Sequence, residues 1–145
     1  MAEVRVVTLN TPYTCRVADV RNIGSVALRA SAATTTSYVA SDHADVSAYE
    51  RLSLEFTLTW VDSTSTQWYV EWSSDGTNWF RSLNTATSTG TNTMTVNEQT
   101  LVLGASTKWI HGSFDVADRY VRVAVKKTGG VGADALGVTL VGLTL

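Results

Sequence analysis

The segment Arg51–Trp60 constrains the fold more than any other part of the chain. Its residues alternate strictly between polar and apolar side chains. Because successive side chains of a strand point to opposite faces, this pattern predicts a β-strand with one buried and one wetted face. The apolar row consists of Leu52, Leu54, Phe56, Leu58 and Trp60. The segment therefore indicates an antiparallel sheet that covers a hydrophobic core on one side.

A β-hairpin is predicted directly after this strand. Two aromatic-rich runs, Gln67–Trp72 and Thr77–Phe80, flank the dipeptide Asp75-Gly76. Glycine adopts the positive φ that a tight turn requires, so an Asp-Gly pair between two such runs is a strong hairpin signal.

The composition extends this prediction to the whole chain. At 145 residues the length is that of one domain, and we expect residues 1–145 to form it. The sequence contains 22 Thr and 19 Val, whose β-branched side chains favour strands, and it has no convincing helical period. Turn signals recur about every 8–12 residues. We therefore predict an all-β, antiparallel β-sandwich of jelly-roll type with about eight to ten strands.

Four finer expectations follow from the local patterns. Ser25–Ala30 is predicted as a strand with Val26 and Leu28 inward, and Asn84–Thr93 as a polar, Thr-rich loop. In Ala135–Leu145 the apolar phase changes beside Gly142, which predicts a β-bulge or a crossing between sheets. The N-terminal segment Met1–Leu9 is a candidate for strand addition to a neighbouring molecule.

Charge and cysteine content exclude several classes of function. The net charge of −2 and the presence of only three Lys argue against a nucleic-acid-binding surface. The nearest basic run, Arg119, Arg122, Lys126 and Lys127, is interpreted as the solvated side of one strand. A single cysteine, Cys15, excludes an intrachain disulfide and is expected in the core. No signal peptide and no apolar run of membrane-spanning length are visible, so we expect a protein of a reducing cytoplasm without a membrane partner.

The residues that can carry chemistry do not form a recognisable active site. His43 lies in Asp42-His-Ala-Asp45, where a divalent metal is possible, but a polar loop is the favoured interpretation. His111 is expected as a hydrogen-bonded or solvent-facing residue of a strand. Nucleophile-elbow, Walker and dinucleotide-binding motifs are absent from the sequence. We therefore expect a protein that is not an enzyme and that binds no metal or cofactor.

The tryptophans offer the best candidates for a binding surface. Trp68 and Trp72 share one face of their strand, and together with Trp60 they are predicted in the core. Trp79 follows the predicted turn and Trp109 opens a strand, so both are expected to be partly exposed. These two residues are the predicted contacts for a protein partner or a glycan.

Two segments carry a family resemblance. Glu71-Trp-Ser-Ser-Asp-Gly-Thr-Asn-Trp79 is followed by Phe114-Asp-Val-Ala-Asp-Arg-Tyr-Val-Arg-Val-Ala-Val125. This combination resembles small β-sandwich structural proteins of tailed bacteriophages, which include capsid decoration (cement), head-fibre and tail-associated proteins. It also resembles discoidin-like carbohydrate-binding domains. The resemblance covers roughly the second half of the chain.

The phage resemblance implies a virion structural protein, most specifically a capsid decoration protein that binds and stabilises the assembled capsid. It implies the major capsid protein or another virion protein as partner, and a homo-oligomer, in many cases a trimer. It places the protein in the virion after synthesis in the bacterial cytoplasm. The alternative is a carbohydrate-binding module or tail adhesin that uses exposed aromatic residues such as Trp79 and Trp109.

Overall fold

The computed structural model describes residues 6–8, 14–16, 22–88 and 91–144. All regular elements in these ranges are β-strands, and no helix long and apolar enough to cross a membrane is found there. The strands, in chain order, are β1 (Val6–Thr8), β2 (Thr14–Arg16), β3 (Asn22–Ala33), β4 (Val39–Ala40), β5 (Ala44–Asp45), β6 (Arg51–Thr59), β7 (Ser65–Ser73), β8 (Phe80–Arg81), β9 (Leu83–Ser88), β10 (Thr91–Val96), β11 (Gln99–Val102), β12 (Thr107–Asp115), β13 (Tyr120–Thr128) and β14 (Ala135–Thr144).

Two antiparallel sheets form the body of the molecule. The four-stranded sheet has the order β12-β6-β14-β3, and the six-stranded sheet has the order β11-β7-β13-β4, with β5 also paired to β13 and β8 to β7. The strands β3, β6, β12 and β14 of the four-stranded sheet alternate along the chain with strands of the other sheet. When β4 and β5 are counted as one interrupted strand, this is the connectivity of a jelly roll. The predicted all-β, jelly-roll-like sandwich is thus confirmed.

The core lies between the sheets, and the alternation in Arg51–Trp60 builds its centre. In β6 the side chains of Leu52, Leu54, Phe56 and Leu58 are buried, whereas the residues between them face outward. Across the core they meet the inward side chains of β13, which include Val121, Val123 and Val125. The orientation of β6 is therefore the one that the sequence predicts. The prediction that Lys127 lies on the solvated side of β13 is wrong. It belongs to the inward row of that strand and is buried, and its Nζ donates to the carbonyl of Gly132.

The predicted change of phase beside Gly142 is wrong. β14 stays in register with β6 from Ala135 to Leu143, and every second residue through Gly142 is buried. The reason is steric: a Cβ on Gly142 would lie 2.5 Å from Cγ of Tyr49, so this inward position must lack a side chain. The tyrosine ring takes the place that an apolar side chain of β14 would otherwise fill.

The irregularities occur in the neighbouring strand β3 instead. The pairing of β14 with β3 shifts between Leu136 and Val138 and again between Val138 and Thr139. Leu28 is buried as predicted, whereas Val26 is exposed and lines an open cavity near Tyr49. Val26 therefore points inward as predicted, but its side chain is not buried.

Two further expectations concern the Thr-rich segment Asn84–Thr93 and the N-terminal segment. The loop predicted at Asn84–Thr93 is wrong, because β9 and β10 pair there as an antiparallel hairpin in a sheet of their own. Thr is polar, which led to the prediction of a loop, but its β-branched side chain also favours strands. At the N-terminus β1 pairs with β2, while most of Met1–Leu9 and the side chain of Cys15 lie outside the described residues.

Candidate interaction surface

The outward side of the six-stranded sheet carries an array of cations and aromatic rings, here called the cation–aromatic face. Period-2 alternation places Tyr69 and Glu71 of β7 on this side, together with Tyr120, Arg122 and Lys126 of β13, while the residues between them face the core. The face comprises Tyr38, Tyr69, Glu71, Trp79, Arg81, Arg119, Tyr120, Arg122 and Lys126.

Glu71 lies at the centre of this face. The strand register places it directly opposite Arg122 on β13 and opposite Arg81 on β8. Nε of Arg122 donates to one carboxylate oxygen at 2.6 Å, and Nε of Arg81 lies 3.4 Å from the other. Although Glu71 points away from the core, it is only 6% exposed. One carboxylate thus joins three adjacent strands, and because it is buried, it depends on the two arginines to offset the loss of water around its charge.

Each cation of the face also covers an aromatic ring. The guanidinium carbon of Arg122 lies 4.1 Å from the ring centre of Trp79, and that of Arg81 lies 4.5 Å from the ring centre of Tyr69. Two peripheral pairs repeat the arrangement: Lys126 over Tyr38 at 4.4 Å and Arg119 over Tyr120 at 5.0 Å. Cation–π contacts of this kind are worth about 0.5–1 kcal/mol at exposed sites. The face is therefore ordered by its own side chains.

The loop before Trp79 holds that ring in place. Gly76 has a φ of 74°, as the Asp-Gly signal predicts, although the loop between β7 and β8 is longer than a two-residue turn. The backbone N–H groups of Asn78 and Thr77 each donate to Oδ1 of Asp75 at 2.8 Å. These bonds lower the pKa of Asp75 well below its usual range. The charged carboxylate thus fixes the turn that presents Trp79 to Arg122.

A second carboxylate fixes the edge of the face. The hydroxyl and the N–H of Ser47 donate to Oδ1 of Asp45 at 2.6 and 3.0 Å, and Arg119 lies 2.9 Å from Oδ2. These contacts lower the pKa of Asp45 to about 2. His43 packs against this edge, with ring centres 5.6 Å from Trp79 and 5.7 Å from Tyr120.

The opposite side of the face is closed by two tyrosines. The rings of Tyr38 and Tyr69 are 4.5 Å apart, and the hydroxyl of Tyr38 donates to Glu98. Gln67 also donates to Glu98, at 2.9 Å. Burial, and then the hydrogen bond to Glu98, raise the pKa of Tyr38, and burial raises that of Tyr69. Both phenols therefore stay neutral and act as hydrogen-bonding or packing groups at neutral pH.

The other predicted contact residue, Trp109, is not part of this face. Its ring stacks on Phe56 at 4.8 Å with an interplanar angle of 3°, at the inner side of β12. It is partly exposed, as predicted, but the structure does not bring it near Trp79. Trp68 and Trp72 are buried in the core as predicted, and Trp60 is partly buried against it.

A cavity of about 190 Å³ opens between the sheets near Trp68 and Trp72. His111 lines it and faces inward, with its ring 5.8 Å from that of Phe114, so of the two positions expected for it, hydrogen-bonded or solvent-facing, the structure does not show the second. The hydroxyl of Ser82, another lining residue, accepts a hydrogen bond from Nε1 of Trp72 at 3.1 Å. In the described ranges no group of three or more His, Cys, Asp or Glu side chains could hold a metal ion.

The arrangement is suited to contact with a macromolecule. Arg, Tyr and Trp are the residue types that dominate binding energy at protein interfaces, and a surface ordered in advance loses little entropy on binding. Trp79 was predicted from the sequence as a contact residue, whereas Glu71 and Arg81 were not. For Glu71 a signal was present, because it alternates with Trp68 and Trp72 and therefore shares an outward row with Tyr69.

Comparison with known proteins gives distant similarities to solved structures. No protein-family model and no curated protein matches the chain. Among solved structures it is similar to the SPBc2 prophage-derived protein YomS, with 14% identity, a TM-score of 0.49, and coverage of 85% of this chain and 94% of that one. It is also similar to a chain of infectious bursal disease virus, Gx strain, with 6% identity and a TM-score of 0.45 over 97% of this chain. Particles derived from infectious bursal virus give 12% identity and a TM-score of 0.31. The chain spans 37% and 44% of the two viral chains, and at these TM-scores the similarities carry no functional argument.

Proposed function

We propose that the protein is a structural component of a tailed-phage virion, specifically a capsid decoration protein that binds the assembled shell through the cation–aromatic face. The observation that carries the proposal is the row Arg81–Glu71–Arg122 with Trp79 stacked beneath Arg122. It is a preformed surface of interface-type residues on a rigid sheet.

The two sequence segments that resemble phage structural proteins support this proposal. Glu71–Trp79 lies on β7 and its following loop, and Phe114–Val125 reaches β13, the strand paired to β7. The resemblance therefore falls on neighbouring strands that together build the face. A decoration protein needs a stable scaffold and a contact surface rather than an active site, and the described surface fits that requirement.

Mass spectrometry of purified phage particles tests the proposal. Particles from a lysate of the host that carries the gene should contain the protein at a fixed copy number relative to the major capsid protein. Particles made without the gene should bind the added purified protein. Absence from the particles together with no binding to shells would refute the virion assignment.

A glycan array separates this proposal from the carbohydrate-binding alternative. The cation already covers one side of the Trp79 ring, and Trp109 stacks on Phe56, so sugar stacking would have to displace or avoid these contacts. We expect no glycan binding. Binding that is lost in Trp79→Ala would instead assign the protein to the adhesin class.

A further inference from the structure

The two arginines at the centre of the cation–aromatic face are not fully neutralised by the contacts that hold them. Within the described ranges Glu71 is the only carboxylate at ion-pair distance from Arg81 and Arg122, so these three side chains together keep one positive charge. Arg122 donates to Glu71 through Nε and makes no other hydrogen bond to a described residue. Its side chain is 26% exposed and that of Arg81 is 50% exposed. The Nη groups of Arg122 are therefore available to an acceptor from outside the molecule.

A third cation of the face also lacks a carboxylate. Lys126 lies over the ring of Tyr38 and forms no ion pair with the described residues. It stands four residues after Arg122 on the outward row of β13, which places the two positions about 13 Å apart along the strand. An extended peptide has the same repeat, so its own side chains at positions four residues apart match this spacing. Arg119 differs, because Asp45 already neutralises it.

The charges of the whole chain are distributed unevenly around this face. The face holds four of the 11 basic residues and one of the 13 acidic residues, which gives it a charge of +3. The remaining seven basic and 12 acidic residues give the rest of the chain a charge of −5. When Asp45 and Glu98, at the two edges, are counted with the face, one positive charge still remains. The face is therefore a local positive site on an acidic protein.

We infer that the partner of the cation–aromatic face presents an acidic segment, a short extended stretch of protein whose Asp or Glu carboxylates contact Arg122, Arg81 and Lys126. A guanidinium group offers paired N–H donors that match the two oxygens of a carboxylate. The rings of Trp79 and Tyr69 hold the two guanidinium groups in place, so little side-chain entropy is lost on binding. The inference deepens the proposed function and rests on it only for the identity of the partner as a virion protein.

A nucleic acid fits this face less well than an acidic segment. Duplex DNA carries a negative charge about every 1.7 Å and would extend past the face in both directions. Asp45 borders the face on one side and Glu98 on the other, and the rest of the chain is acidic. A longer polyanion would therefore meet repulsion beyond the cations, whereas a short acidic segment meets the cations alone.

Isothermal titration calorimetry of the isolated protein with a blocked hexaglutamate peptide tests the inference, with blocked hexaglutamine as the uncharged control peptide. Wild type should bind hexaglutamate with a Kd below about 1 mM at low salt and should not bind hexaglutamine. Because the contact consists of partly exposed ion pairs, binding should weaken by about tenfold at about 0.5 M NaCl. Arg122→Gln should weaken it by about tenfold or more at low salt.

Lys108→Gln is the matched control, since Lys108 is an exposed cation of β12 on the other sheet. It should bind hexaglutamate like wild type. Arg81→Gln removes a half-exposed side chain and serves as a second variant if Arg122→Gln does not fold; it should weaken binding by about threefold or more. No binding of hexaglutamate by wild type would overturn the inference. Equal weakening by the face variants and Lys108→Gln, or tighter binding of a DNA duplex than of hexaglutamate, would also overturn it.

A competition experiment separates this inference from the proposed function. Hexaglutamate should displace the protein from phage shells that bind it. Shell binding that excess hexaglutamate leaves unchanged would refute the acidic segment and leave the virion assignment intact. Peptide binding by a protein that binds no shell and is absent from particles would refute the virion assignment and leave the acidic segment intact.

Discussion

The outward sides of the two sheets obey the same alternation but are built differently. On the four-stranded sheet the outward residues of β14 are Ala135, Gly137, Thr139, Val141 and Leu143, which are small or medium-sized and form no charged network. On the six-stranded sheet the outward residues include Tyr69 and Glu71, which are buried beneath arginines and tyrosines. The solvent-facing side of a sandwich sheet can therefore carry small residues that do not interact with one another, or polar and aromatic side chains that pack together as a second layer.

The largest difference is expected between two outward glutamates. Glu71→Ala should lower the free energy of unfolding by about 2 kcal/mol, because both Arg81 and Arg122 lose their acceptor while remaining partly solvated. Glu55→Ala, at an exposed position of β6, should change it by no more than about 0.5 kcal/mol. Urea unfolding followed by tryptophan fluorescence measures both. Equal effects would show that the ordered row contributes nothing to stability.

A smaller difference is expected between two outward apolar side chains. Trp79→Ala should cost about 1 kcal/mol, since Arg122 and His43 both pack on its ring. Ile110→Ala should cost less than about 0.5 kcal/mol, because the side chain is exposed. Thermal unfolding of the two variants side by side would contradict the account if Ile110→Ala were the more destabilised protein.

The smallest effect concerns acid sensitivity at the edge of the cation–aromatic face. The folded-state pKa of Asp45 is about 2, below the unfolded value of about 3.9, so its carboxylate form stabilises the fold. That contribution is fully present above about pH 4 and is lost as the pH falls through about 2. Wild type should therefore exceed Asp45→Asn slightly in urea midpoint at pH 6, and the gap should close towards pH 2. A gap that widens on acidification would contradict the assignment.

The sequence predicted the fold well where one physical rule dominated. Strict alternation in Arg51–Trp60 specified both the strand and its buried face, and Gly76 has the positive φ that the Asp-Gly signal requires. It failed where a distant contact decided the outcome. The space at Gly142 is filled by Tyr49, and the burial of Lys127 depends on the carbonyl of Gly132. Neither partner can be identified from the pattern of residues around these positions.

The candidate surface was predictable only in part for the same reason. Trp79 was found because it follows a recognisable turn, whereas the pairing of Glu71 with two arginines depends on the register of three strands. Period-2 alternation places a residue on a face, but it does not say which residue of the next strand stands opposite. The order of the face is therefore a property of the sheet rather than of any one segment.

Whether the protein binds the capsid through its cation–aromatic face is tested by co-sedimentation of purified protein with phage shells that lack it. Wild type, Arg122→Ala and Lys108→Ala are compared, since Arg122 belongs to the cation–aromatic face and Lys108 is an exposed cation of β12 on the other sheet. If the cation–aromatic face is the contact, Arg122→Ala should bind at least about tenfold more weakly, and Lys108→Ala should bind like wild type. Unchanged binding of Arg122→Ala, or a loss confined to Lys108→Ala, would contradict this assignment of the contact surface.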